Sequence, residues 1–416
     1  MKLSDIKSRP VLLEGGNVTI NDQSADRIDT NAREQAVPLI DNALAAINAA
    51  YAQFSGKPLW HPELLKSRQF LSGSAFHFFD RASIRDLDFH AAKPTVGDID
   101  TQVDLEMRED IITWLQQLPT GSRLGEAVYL GVKDDPLSLG GAQLITLWSF
   151  PALQIKTANP DGTTTVRGTN IQIDLELKEF EQLPKTKYRQ PTRWSKFSAS
   201  SSWEDIQSGV KGVFHKYLIM ALAKLTEQTV IIRKPVYNRK TKQYDSYKYS
   251  EPTQASMFTF AVGSKEGGGL RPTLTPVIGS DGKPEEIDGV GVYDKVGTTG
   301  YIRDVDQIFA NLFGDRLKRS DLKKMSQNFD SFTGLLKIIR QYTTPEERQA
   351  VADKFREKAI GTDDTGRRAQ ELYKGDPEKD RSEKLVAYNL LNQTLGTTPP
   401  PGFAEMVNDY YAKYDK

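Results

Sequence analysis

Two short stretches of the chain alternate acidic or amide residues with aliphatic ones at a period of two, and this pattern constrains the fold more than any other. The first is Gly97-Asp98-Ile99-Asp100-Thr101-Gln102-Val103-Asp104-Leu105. Residues two apart on a strand share a face. Asp98, Asp100, Gln102 and Asp104 therefore lie on one side, with Ile99, Val103 and Leu105 on the other. The second is Ile171-Gln172-Ile173-Asp174-Leu175-Glu176-Leu177, in which Asp174 and Glu176 share a face. Asp is depleted in strands, so three on one face call for a reason.

Carboxylates side by side repel each other unless a cation lies between them. Hard oxygen ligands of this kind suit Mg²⁺, usually together with substrate phosphates. If the two strands pair, Asp174 joins Asp98 and Asp100 in a three-carboxylate site. Sites of this composition hold two metal ions about 3.5–4 Å apart. The plain alternative is a pair of strands whose polar faces meet water.

Upstream, Phe70-Leu71-Ser72-Gly73-Ser74-Ala75-Phe76-His77-Phe78-Phe79 reads as a strand, a tight turn and a short helix. Gly73 allows close backbone approach, and Ser72 or Ser74 can cap the helix and leave amide donors for an anion. By itself this is an ordinary helix cap. Its place before the Asp-Ile-Asp strand is what gives it weight.

A Gly-Ser turn (Gly73, Ser74), then an Asp-x-Asp strand (Asp98, Asp100), then a third Asp on a later strand (Asp174) resembles the polymerase-β-like nucleotidyltransferase superfamily. The resemblance covers about residues 60–230. It implies an α+β fold, with a mixed nucleotidyltransferase-like sheet flanked by helices. It further implies that Asp98 and Asp100 bind Mg²⁺ (or Mn²⁺) and that Asp174 acts on the attacking hydroxyl. Gly73 and Ser74 would hold the phosphates of an NTP. One departure is the 23 residues between Ser74 and Asp98, more than is usual in the family. Asp86-Leu87-Asp88 within that insertion is a competing pair; Gly97, the clean alternation and Asp104 favour Asp98/Asp100. More loosely, the whole chain resembles uncharacterised phage-encoded nucleotidyltransferases.

Ser198-Ala199-Ser200-Ser201-Ser202 precedes an expected helix over 203–227 that carries Lys211, His215 and Lys216. Ser202 is a good cap, with Asp205 at the capping-box position. Ser200, Ser201 and Ser202, with Lys211 and Lys216, are candidate nucleotide-binding residues, because hydroxyls and free amides at a helix start suit phosphate. A capped helix with solvated lysines fits equally well. His215 reads as a packed or surface histidine.

Two segments interleave cations with aromatics: Lys185 to Trp194 and Arg233 to Tyr249. Stacking faces beside phosphate partners are what single-stranded nucleic acid needs. An exposed hairpin with cross-strand tyrosine pairs is the simpler account. The run Asp315–Lys324 is locally basic and reads as a solvated helix face.

The remaining organisation follows from periodicity and punctuation. An N-terminal arm and a helix with the stripe Ile40, Leu44, Ile47, Tyr51 and Phe54 occupy 1–59, the catalytic core 60–230, a β-hairpin and loop elaboration 231–300, and a mostly helical part 301–416. Strands are expected at Leu144–Phe150 and Leu153–Lys156, on either side of Pro151.

With 416 residues the chain has room for two or three domains. Lys plus Arg equals Asp plus Glu at 55 each, which excludes a protein that binds by bulk positive charge. The absence of cysteine excludes disulfide scaffolds, thiolate metal sites and Cys nucleophiles. No apolar run is long enough for a membrane span, and Met1–Ile6 lacks the apolar core of a signal peptide. The expectation is a cytoplasmic protein, in the host cytoplasm if phage-encoded, with no membrane partner. No Walker-type phosphate loop, Gly-x-Ser-x-Gly elbow or His-Glu-x-x-His is present.

The function expected is a Mg²⁺-dependent nucleotidyltransferase. It would transfer a nucleoside monophosphate from an NTP to a hydroxyl of RNA, a nucleotide or a protein and release pyrophosphate. The alternatives are a nucleic-acid-binding or virion-associated protein on a degenerate transferase fold, and a metal-dependent phosphodiesterase.

Overall fold

Helix α1 (Arg33–Ser55) shows why its segment folds as it does: Ile40, Leu44, Ile47 and Tyr51 recur at helical spacing and are all buried. Phe54, the last residue of the expected stripe, is exposed instead, in the final turn of the helix. Gly56 ends α1 in the left-handed region (φ 76°) and returns its amide to the Ala52 carbonyl at 2.9 Å. The helix begins at Arg33 and carries Pro38 inside it.

The computed structural model describes residues 18–80, 90–91, 93–133, 143–158, 163–184, 186–199, 202–210, 212–261, 268–297, 300–318, 321–322, 329, 331–360 and 377–400. The competing pair Asp86/Asp88, Ser200, Ser201, Lys211 and several stretches of the expected helical part 301–416 lie outside these residues. The chain forms two compact units. The first is Met1–Gly212 with two short later pieces; the second holds Val213–Val262, Gly268–Gly375 and Lys384–Lys416.

The first unit is built on a five-stranded mixed sheet. Its strands are β1 (Asp98–Asp104), β2 (Arg123–Leu124), β3 (Ala127–Val132), β4 (Gln143–Ala158) and β5 (Thr164–Lys178), in the order β1-β5-β4-β3-β2. β1 runs parallel to β5, and the other neighbours are antiparallel. Ile99, Val103, Ile171, Ile173, Leu175 and Leu177 form one face of β1 and β5. They join Ile40, Leu44 and Trp114 in one hydrophobic cluster, which sets the register of both strands.

Two expected elements differ. The strands on either side of Pro151 are one strand, β4, whose register against β5 slips between Phe150 and Gln154. Proline donates no ladder bond, and a bulge accommodates it. Gly168 lies opposite, where a Cβ would come 2.9 Å from the Pro151 Cα. The helix expected over 203–227 is broken at Gly209 (φ 72°) into Trp203–Ser208 and Gly212–Ala221, followed by a 3-10 turn to Thr226. Periodicity alone does not reveal a left-handed cap inside an otherwise apolar helical pattern.

The second unit has a six-stranded sheet and a set of helices. A hairpin of β6 (Glu227–Asn238) and β7 (Gln243–Tyr249) forms one side of that sheet, and β6 pairs in parallel with β8 (Val290–Lys295). Helices Val305–Phe313, Phe332–Tyr342 and Pro345–Ile360 follow, with the part of Pro377–Leu395 from Lys384 on. Asp304 and Ser331 cap the first two, accepting from the Gln307 and Gly334 amides at 2.8 Å. Phe309 stacks on Phe329 with ring centroids 3.7 Å apart. The chain is thus mixed α/β with mixed sheets, and among the described residues no helix is long and apolar enough to cross a membrane.

His215 is a core residue of the second unit. It is fully buried, and its Nε2 donates to the Phe329 carbonyl at 2.9 Å. Burial depresses its pKa from 6.5 to about 4, opposed by that hydrogen bond and assisted by Lys216. Because the folded value lies below the unfolded one, stability is complete above about pH 6.5 and declines as pH falls towards 4. The loss is on the order of 3 kcal/mol at 1.36 kcal/mol per pH unit. Urea denaturation of wild type and of His215→Gln, which keeps a donor but does not titrate, is expected to show this decline as a difference between the two proteins from pH 7.5 to 4, since the carboxylates are common to both.

Candidate metal centre

Strand pairing assembles the carboxylates. In the parallel register Asp98 faces Gln172, Asp100 faces Asp174 and Gln102 faces Glu176. Carboxylate oxygens of Asp98, Asp100 and Asp174 all lie within 4.8 Å of one another. The acidic face of these strands is largely withdrawn from water. Asp174 is only 2 % exposed, and Gln102, Asp104 and Gln172 are buried as well. Water-facing polar strands therefore do not account for the alternation.

Asp174 is fixed from two directions. The Gln172 amide donates to both of its oxygens at 2.9 Å, and the Gln143 amide donates to Oδ2 at 2.6 Å. A carboxylate offers about four lone-pair sites, so these donors orient Asp174 and leave acceptor capacity. The Thr101 hydroxyl holds the Asp174 carbonyl at 2.8 Å and ties β1 to β5 at the site. A fourth carboxylate, Glu176, stands beside the cluster. It accepts from the Ser72 hydroxyl at 3.0 Å and has Lys178 Nζ at 3.8 Å.

The Gly-Ser turn packs on the opposite edge of β1. The Ser72 amide donates to the Asp100 carbonyl at 3.0 Å and the Gln102 amide to the Phe70 carbonyl at 2.6 Å, before helix α2 (Gly73–Phe79) begins. Gly73 has φ +58°, and a Cβ there would come 2.6 Å from Asp100 Oδ2. Only glycine allows the turn to approach this carboxylate so closely. Ser74, the turn residue expected beside a nucleotide, is buried. Ser72 makes no side-chain cap bond and spends its hydroxyl on Glu176.

Electrostatics follow from this crowding. Burial pushes the Asp100 carboxyl well above the usual carboxylate range, and the charges of Asp98, Glu176 and Asp174 push further, against Lys93. Asp174 is raised in the same direction, by burial and then by Asp98, with Gln172 and Gln143 opposing. The donor set is hard oxygen with an excess of negative charge. It fits a divalent cation such as Mg²⁺ or Mn²⁺.

The other residues singled out from the sequence divide. Asp104 shares the face of Asp98 and Asp100 but not the cluster. At the far end of β1 it accepts from Arg189 Nε at 2.6 Å and caps the turn at Leu105–Met107. Ser202 caps its helix, accepting from the Asp205 amide at 3.1 Å, which is the capping role expected of it. Lys216 belongs to the second unit, beside the buried His215. In the Lys185–Trp194 stretch, Tyr188 stacks on His61 at 4.5 Å, Trp194 is buried and Arg189 binds Asp104 and Glu106. That stretch serves packing.

Sequence reasoning did not single out Gln143, Lys93 or the Ser72–Glu176 bond, and it placed Gln172 and Glu176 only by their face. Alternation marks a face; it does not say which amide on a neighbouring strand reaches it. Compared with protein-family models, curated proteins and solved structures, the chain gives no match.

The raised carboxyls set a pH dependence. Their folded pKa values exceed the unfolded value of about 3.9, so their contribution is complete below it and is lost as pH rises through the folded values. A divalent cation is expected to reverse that loss. Mg²⁺ or Mn²⁺ should raise the melting temperature at pH 7 and leave it unchanged near pH 3.5. Asp100→Asn should raise the metal-free melting temperature at pH 7 by a few degrees, at about 2–4 °C per kcal/mol, and abolish the metal response. An unresponsive wild type in a metal-titrated melt would count against the centre.

Proposed function

We propose that the chain is a metal-dependent nucleotidyltransferase of the polymerase-β-like kind, acting at Asp98, Asp100 and Asp174. The observation that carries the reading is the parallel register that sets Asp100 opposite Asp174, with the Gly73 turn packed against Asp100. A three-carboxylate cluster, buried at Asp174 and half-buried at Asp98 and Asp100, beside a turn built on glycine suits a cation and the phosphates it neutralises.

Asp98, Asp100 and Asp174 would hold Mg²⁺ or Mn²⁺. When bound, such ions supply charge neutralisation and orientation to a phosphoryl group. An acceptor hydroxyl attacks the α-phosphorus of an NTP. The new P–O bond forms as the bond to pyrophosphate breaks. Asp174, held by Gln172 and Gln143, is the group in place to take the hydroxyl proton. Ser72 and Lys178 hold Glu176 to one side, so that it shapes the field of the cluster. Preorganised charge of this sort is the main source of catalysis expected here.

A metal-dependent phosphodiesterase would use the same carboxylates, and pyrophosphate release from NTP separates the two. With each α-labelled NTP, Mg²⁺ or Mn²⁺, and RNA, single-stranded DNA or protein as acceptor, label should pass to one acceptor class. Asp98→Asn/Asp100→Asn should abolish transfer. Metal-dependent cleavage of the RNA or DNA, with no label transferred and no pyrophosphate formed, would favour the phosphodiesterase.

Gly73→Ala offers a second test. The positive φ costs a side chain about 1–2 kcal/mol, and the new methyl meets Asp100. Transfer is expected to fall at least tenfold while circular dichroism stays native. An active Gly73→Ala would remove the turn from the site.

A further inference from the structure

The β6–β7 hairpin of the second unit has a built surface that the transferase reading does not use. Its register pairs Arg233 with Tyr249, Pro235 with Tyr247 and Tyr237 with Tyr244, so these six residues share one face. The four tyrosines are 45–68 % exposed. Tyr237 and Tyr244 meet edge to face at 5.2 Å, and the Arg233 guanidinium lies 4.3 Å from the Tyr247 ring centroid. Arg233 is anchored by Asp294 at 2.7 and 2.9 Å, and the Tyr249 hydroxyl donates to Glu285 at 3.3 Å. Arg233, Tyr247 and Tyr249 are thus held in place while the two tyrosine rings stay open to solvent.

Charge on the hairpin is one-sided. Lys234, Arg239, Lys240, Lys242 and Lys248 are all exposed, and among the described residues none of them has an acidic partner. Asp245 is the single acid between Arg233 and Tyr249 in a chain of zero net charge. Lys234 and Lys248 stand directly opposite each other across the strands. Like charges so placed are destabilising. Four open aromatic rings and an uncompensated cluster of cations both carry a cost that one kind of partner removes: a flexible polyanion with flat faces.

We infer that this hairpin binds single-stranded nucleic acid. Bases stack on the tyrosine face, and phosphates pair with the tip cations Arg239, Lys240 and Lys242. An acidic protein would satisfy the cations only. The tyrosine face offers no aliphatic anchor apart from Pro235, whereas stacking needs none. Binding at the hairpin does not depend on transferase activity in the first unit.

The test is anisotropy of a 5′-labelled 20-mer of dT or rU, without nucleotide or divalent metal, so that its outcome is independent of catalysis. Tyr237→Ala/Tyr244→Ala should weaken binding at least tenfold with the salt slope unchanged. Lys240→Ala/Lys242→Ala should make log K less dependent on log salt, by about 0.7 for each phosphate no longer neutralised. Both pairs are exposed, and thermal melts should match wild type. No binding by the wild type would overturn the inference. So would equal competition by polyglutamate or duplex DNA, or an unchanged affinity in the tyrosine variant.

Discussion

Parallel pairing of Asp98–Asp104 with Gln172–Lys178 forces Asp100 against Asp174 in a place where water is largely excluded. Nothing in backbone pairing favours this. Buried carboxylates that face one another cost free energy unless protons or cations join them. The register is held by the other face, where Ile99, Val103, Ile171, Ile173, Leu175 and Leu177 pack into the main core. A slip of one residue would turn all of these aliphatic side chains outward. Apolar burial on one face thus imposes electrostatic crowding on the other.

Around that imposed crowding the neighbouring groups are arranged so as to orient the acids without neutralising them. Gln172 and Gln143 hold Asp174 with neutral amides, and Ser72 holds Glu176 with a hydroxyl. Lys93 lowers the pKa of Asp100, but as the last of the influences on it. Asp104, on the same strand face, shows the contrast. Arg189 meets it as an ion pair, and it serves as a structural cap. One strand face therefore carries two kinds of carboxylate, distinguished by whether a guanidinium is present.

The two cation-and-aromatic stretches divide in a similar way. Around Tyr188 and Trp194 the rings are stacked or buried and Arg189 is ion-paired. On the β6–β7 hairpin the tyrosines stay open and the lysines lack acidic neighbours among the described residues. Composition alone gives the two segments the same reading. The difference lies in whether acids and core residues from elsewhere in the chain reach them.

Much of the local structure was legible in the chain. The 3.6-residue stripe of α1 with its Gly56 stop, the period-two faces of β1 and β5, the Gly73 turn and the Ser202 cap all depend on neighbours in sequence. So does the candidate trio itself, since Asp98 and Asp100 are two apart and Asp174 lies on the other alternating strand. The continuity of β4 past Pro151 and the break at Gly209 were not legible, because each is decided by a close approach or a left-handed residue that periodicity does not register. Which residues can share a face, and that no cysteine or phosphate-loop chemistry is available, can be read from the order of residues. Only packing makes β1 and β5 run parallel in a register that pairs Asp100 with Asp174, buries Asp174 with Gln102 and Gln172, and brings Gln143 to that face. The physical reason is that face and period are properties of one strand, whereas register, burial and the partners of a charge are set by where the rest of the chain packs.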